Sequence, residues 1–204
     1  MQVWSRQRGV SFCPRHAPLA RVAAARHDRG FTLVELMITL AVAVVLIMIA
    51  VPSFKTLTLS NKLTTTANDI VGALNIARME AIKRNASTQL CSNSATNNTS
   101  DTLGTACGTQ IGAVYVLVGA TATATATQVG AGTVGITTPL ALTGNMAAVR
   151  FDGRGMGHAP GITTPLTVLI ADISTSAVSS NNHRCINLTA GSILVTTTTS
   201  LACP

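Results

Sequence analysis

The chain holds 204 residues, of which 47% are hydrophobic, 10% charged and 3% aromatic. So much apolar content excludes a fully disordered chain, and so little charge excludes a coiled coil or a charged nucleic-acid tail. The formal net charge of +7 is unevenly placed. Arg6, Arg8, Arg15, Arg21, Arg26 and Arg29 are opposed only by Asp28 in the first 30 residues, whereas from Phe31 onward eight Lys or Arg meet six Asp or Glu. The basic character belongs to the front, and the remainder is nearly neutral.

Residues 31–54 read FTLVELMITLAVAVVLIMIAVPSF, and between Leu36 and Val51 the only polar residue is Thr39. A helix of about 20 such residues, rising 1.5 Å each, spans a hydrocarbon core of roughly 30 Å. The arginines before it keep residues 1–30 cytoplasmic by the positive-inside rule. By hydropathy alone the segment is an uncleaved signal anchor or a Sec signal peptide. The run is longer than a Sec core, however, and Pro52 follows it with no small-x-small cleavage site. Glu35 is the anomaly. A carboxylate placed centrally in a membrane helix costs about 2.5–3.5 kcal/mol and calls for a partner or a function. Near the helix start the macrodipole recovers only a small part of that cost.

The string Arg29-Gly30-Phe31-Thr32-Leu33-Val34-Glu35 resembles the processing motif of type IV prepilins and pseudopilins. It has Gly before the scissile bond, Phe after it, Glu at the fifth position of the product, and then an unbroken apolar helix. Pro52 matches a proline common in those helices. The resemblance implies that a prepilin peptidase/methyltransferase cuts between Gly30 and Phe31 and methylates Phe31, and that Glu35 serves assembly. It further implies that residues 1–30 are a leader, longer than most in that family, which cleavage removes. The product, residues 31–204, would then cross the inner membrane once with its head in the periplasm, and later enter a pilus or pseudopilus.

Beyond the apolar half of the helix (31–54), an amphipathic half runs over 55–86. Leu63, Ala67, Ile70, Leu74, Ala77 and Ala81 step by four and three residues along one face, as core packing requires. Asn85-Ala86-Ser87 marks a stop. Residues 87–204 lose helical periodicity, and runs rich in Val, Ile, Thr and Leu recur at 88–92, 111–118, 147–151, 166–173, 184–188 and 193–198, separated by Gly, Asn, Ser and Pro. This pattern predicts a β-rich domain. Residues 92–102 and 120–135 are of low complexity, and the second, with its TATATAT, predicts a loop or an irregular hairpin.

Cys13 belongs to the leader, which leaves Cys91, Cys107, Cys185 and Cys203 in the β-rich region. The membrane topology places this region outside the cytoplasm, where disulfides persist. Four cysteines allow three pairings. Cys91–Cys107 with Cys185–Cys203 closes two loops of modest length. No two cysteines have metal-ligand spacing, and after the leader only His158 and His183 remain, so no metal or other cofactor is expected.

No hydrolytic, phosphate-binding or metalloprotease motif is present, and the scattered carboxylates recommend no paired acids, so an enzyme is not expected. The stretch from Val149 to Gly157, VRFDGRGMG, reads as a strand end feeding a tight glycine turn. It resembles a segment of the GspH/FimT group of minor pilins and pseudopilins, as do the Arg184-Cys185-Ile186 strand and terminal Cys203. Some members of that group bind DNA during natural transformation through a Gly-Arg-x-Arg stretch in the last hairpin. The corresponding place here is Gly191-Ser192-Ile193-Leu194, without the arginines. Nonspecific DNA affinity needs several clustered cations. Beyond residue 86 the candidates for DNA contact are Arg150, Arg154 and Arg184 alone.

The expected fold is therefore α+β: a pilin-like lollipop in which one long N-terminal helix, its first half in the membrane, packs on a C-terminal β-rich head. The resemblance implies a minor pilin that helps initiate or cap a type IV pilus, with other minor and major pilins as partners. The alternatives are the GspH-like pseudopilin of a type II secretion system and, less favoured, a DNA-binding minor pilin.

Overall fold

The computed structural model describes residues 30–119, 124–133 and 135–204. The expected leader up to Arg29 lies outside the described residues. The chain divides into two units, one ending at Val44 and one running from Val45 to Pro204, and the helix α1, Leu33–Arg84, contributes to both.

In the second unit the predicted stripe of α1 is the buried one. Leu63, Ala67, Ile70, Leu74, Ala77 and Ala81 are at most 1% exposed, joined by Thr66 and Ala73. The helix ends in a Schellman arrangement: Asn85 takes a left-handed φ of 48°, its N–H donates to the Ile82 carbonyl, and the Ala86 N–H donates to the Ala81 carbonyl. Asparagine tolerates that conformation better than most residues, which is why the helix stops there.

Among the described residues the head has two antiparallel sheets. In the first the order is β3-β2-β1-β5-β6, built from β1 (Thr88–Leu90), β2 (Val114–Val118), β3 (Thr125–Gly130), β5 (Val149–Phe151) and β6 (Gly157–His158). In the second the order is β4-β7-β8-β9, built from β4 (Ala141–Leu142), β7 (Val168–Ser174), β8 (His183–Thr189) and β9 (Ile193–Thr199). All six predicted runs contain strands. Of the 120–135 stretch, residues 120–123 and 134 lie outside the described residues, and Thr125–Gly130 forms β3, which pairs antiparallel with β2 with a register shift at Val114/Tyr115. One core unites the parts: the helix stripe packs with Leu90, Val114, Val149 and Phe151 of the first sheet and with Ile170, Ile173, Ile186 and Leu188 of the second.

The polar stretch 92–102, to which composition assigned no element, reaches into two short helices, α2 (Ala95–Asn98) and α3 (Thr102–Cys107). Their organiser is the fully buried Asn98. Its amide nitrogen donates to the carbonyls of Ser92 and Gly108, both at 3.0 Å, and its oxygen accepts from the Ser92 N–H at 2.8 Å. Buried backbone groups are thus satisfied by a side chain instead of a ladder. Asp101 caps α3, accepting from the Gly104 N–H at 2.9 Å. Beneath α3 lies a second, smaller core of Cys91, Leu103, Cys107, Ala113 and Tyr115.

The disulfides are Cys91–Cys107 and Cys185–Cys203, with Cα separations of 5.3 and 5.7 Å. They join partners 16 and 18 residues apart. Loops of that size are each worth about 3 kcal/mol on the chain-entropy account.

Candidate functional site

The N-terminal motif is laid out as a helix start. Gly30, Phe31 and Thr32 lie outside the helix, which begins at Leu33. The Thr32 hydroxyl accepts the Glu35 N–H at 3.2 Å, making Thr32 the N-cap. Thr32-x-x-Glu35 is the spacing of a capping box, a signal present in the sequence that hydropathy reading alone passes over. The Glu35 side chain is exposed in the first turn and is in no ion pair among the described residues. Around Gly30 an added Cβ would meet nothing within 4 Å, so the fold itself makes no demand for glycine there.

The large apolar residues from Phe31 to Leu57 are each 46–74% exposed. Such a continuous apolar surface is unstable in water and is suited to lipid or to other apolar helices. Pro52 lies within this stretch of α1. Lacking an N–H, it leaves the Met48 carbonyl without its usual helical donor.

In the head, two of the three candidate DNA-contact arginines are committed to protein acceptors. Arg150 on β5 is paired with Asp101, with Nη1 2.6 Å from Oδ2 and Nη2 2.9 Å from Oδ1, and Nη2 also donates to Gln89 Oε1. The Arg150 guanidinium holds the Asp101 carboxyl below its ordinary pKa. Arg184 on β8 is only 6% exposed. Its guanidinium donates to the carbonyls of Asn181 (2.7 Å) and His183 (3.1 Å), and to the hydroxyls of Ser60 (3.0 Å) and Thr64 (3.3 Å) on α1. Burial lowers its pKa. This inward role was written in the strand alternation, because Arg184 shares the phase of Ile186 and Leu188. Arg154 alone is open, its side chain 87% exposed and paired with Asp152.

Arg154 sits on the glycine turn predicted after β5. Asp152 holds that turn by accepting from the N–H groups of Arg154 and Met156, each at 3.0 Å. The glycines allow the turn to lie against α1. A Cβ on Gly153 would strike Asn85, and one on Gly155 would fall 2.7 Å from Ile82 Cδ1. The β8–β9 turn is fastened to the same helix, since Arg78 Nη1 donates to the Ser192 carbonyl at 3.1 Å.

Asp172, Cys185 and Cys203 are brought together on the other face of the second sheet from Arg184. They come from β7, β8 and the segment after β9, with both cysteines in one disulfide. Their distance in sequence hid the cluster.

Residues 66–192 match the family model described as Type II transport protein GspH. The chain belongs to the GspH family. The match runs from the packed half of α1 to the β8–β9 turn, more than half of the chain. Residues 25–51 separately match the prokaryotic N-terminal methylation motif, which covers Gly30, Phe31, Glu35 and the apolar helix. No curated protein and no solved structure matches the chain. This GspH-family chain is thus a pilin or pseudopilin, anchored in the membrane by its apolar helix, the one such helix among the described residues. The methylation motif implies processing by prepilin peptidase and assembly with other pilins or pseudopilins. Families of this kind are structural and not enzymatic.

Proposed function

We propose that this chain is a minor pilin that helps initiate or cap a type IV pilus. Prepilin peptidase cuts between Gly30 and Phe31, Phe31 is methylated, and the head faces the periplasm until the subunit enters the filament. The observation that carries this reading is the exposed apolar helix with a lone carboxylate in its first turn. A methylated, cationic terminus on a neighbouring subunit would offset the cost of Glu35 in an apolar setting. Two further features support it. The scissile bond lies outside the helix, within reach of a peptidase, and Gly30 stands in open space, so its identity is for an enzyme to read.

A second reading is the GspH-like pseudopilin of a type II secretion system, favoured by the description of the matching family model. DNA binding is the less favoured role, because the Arg150 and Arg184 guanidinium groups are already held by acceptors within the protein. Deleting the gene and scoring surface pili and protein secretion separately tests the assignment. Loss of pili with intact secretion is expected, and the opposite outcome would transfer the protein to the secretion apparatus.

A further inference from the structure

The outer face of the second sheet carries donor atoms that the filament reading does not use. Asp172 on β7 is directly opposite Cys185 on β8 in the antiparallel register. Cys203, beyond β9, reaches back over them, and its N–H donates to Asp172 Oδ2 at 3.1 Å. A carboxylate oxygen of Asp172 and the two sulfurs all lie within 4.8 Å of one another. Asp172 is 2% exposed and Cys185 1% exposed. Behind the carboxylate, His183 Nδ1 lies 2.8 and 3.0 Å from its two oxygens and donates to it.

We propose that Asp172, Cys185 and Cys203 form a latent site for a zinc-class divalent cation, which opens when the Cys185–Cys203 disulfide is reduced. Tetrahedral zinc, with bonds of about 2.3 Å to sulfur and 2.0–2.2 Å to oxygen, holds its donors roughly 3.3–3.8 Å apart. The three donor atoms are already gathered within 4.8 Å, and reduction frees the two bonded sulfurs to move apart to that spacing. Two thiolates and one carboxylate select zinc over calcium or magnesium, which take oxygen cages. His183 is a positioning residue that orients the carboxylate from behind, as outer-shell partners of metal ligands do.

The chemistry balances in two steps. A dithiol reductant passes two electrons and two protons to the disulfide, becoming a disulfide itself and leaving two cysteine thiols. The cation then binds, and the two thiols release their protons to solvent as the sulfur–metal bonds form. Disulfide and metal are therefore alternative clamps for the segment after β9. The site is independent of whether the subunit serves a pilus or a secretion system.

The test uses the full chain in detergent micelles, oxidised or reduced with a phosphine, and titrated with Co²⁺ as a spectroscopic stand-in for Zn²⁺. The reduced protein should bind about one Co²⁺ with sulfur-to-cobalt charge-transfer absorption, displaced by Zn²⁺, and the oxidised protein should show none. Absorption should vanish in Cys203→Ser and persist in a double variant, Cys91→Ser with Cys107→Ser. His183→Gln should keep the absorption while weakening affinity about 10–100-fold. Absence of charge-transfer absorption in the reduced natural chain, or its full retention in Cys203→Ser, would overturn the proposal.

Discussion

The Gly157 N–H donates to the Gly191 carbonyl at 2.7 Å, an approach so close that a side chain on Gly191 would clash and one on Gly157 would be crowded. A Cβ on Gly157 would lie 3.0 Å from the Gly191 oxygen, and one on Gly191 would lie 2.5 Å from the Gly157 oxygen. The contact joins β6 of the first sheet to the β8–β9 turn of the second. Leu166 completes it by donating to the Gly157 carbonyl and accepting from the Gly191 N–H.

Gly191→Ala combines a backbone clash with a left-handed φ of 67°. It should destabilise the head by about 2–3 kcal/mol. Thermal unfolding of the purified chain in detergent measures this, and an unchanged midpoint would mean that the sheets are joined by other contacts.

Asp101 should govern part of the acid sensitivity. Its pKa is lowered when folded, first by the hydrogen bond from Arg150. The stability it adds is therefore fully present above the ordinary aspartate value, about 3.9, and is lost as pH falls through its lower folded value. Asp101→Asn keeps an N-cap and removes the charge. Stability curves of the two proteins should differ at neutral pH and converge at the acid end, and parallel curves would rule out the linkage.

Much of this architecture was legible because its signals are local. The Gly30-Phe31 motif, the stripe from Leu63 to Ala81 and the Asn85 stop are each written within a few turns of chain. The disulfides close short loops, so the pairing suggested by spacing is the pairing present. What escaped depends on contacts across the fold. The α2–α3 segment is organised by the amide of Asn98, a residue whose composition class points to a loop. Arg150 reads as a surface cation until the topology brings Asp101 to it, and the partners of the inward-phased Arg184, Ser60 and Thr64, lie far off in the chain. The convergence of Asp172 with Cys185 and Cys203 requires the β7–β8 register.

Duplex DNA should bind the chain weakly at ~150 mM salt, where phosphate attraction is screened. Arg154, the open cation of the head, should matter little. A filter-binding or anisotropy titration with Arg154→Ala decides the point, and tight binding abolished by that change would make DNA uptake the leading function.

Glu35→Ala should leave membrane insertion and cleavage intact, because removing a charge from an apolar helix favours the lipid-embedded monomer. Incorporation should fall if, as proposed, Glu35 pairs with the cationic terminus of a neighbouring subunit. Comparing the subunit in sheared filaments with the subunit in membranes measures the ratio. Normal incorporation would reduce Glu35 to a processing signal.

The central claim is that this GspH-family chain is made as a precursor and matures at one peptide bond, which mass spectrometry of the N-terminal peptide from assembled material tests directly. The peptide should begin at Phe31 with a methylated amine, and an intact leader ahead of Phe31 in that material would contradict the account.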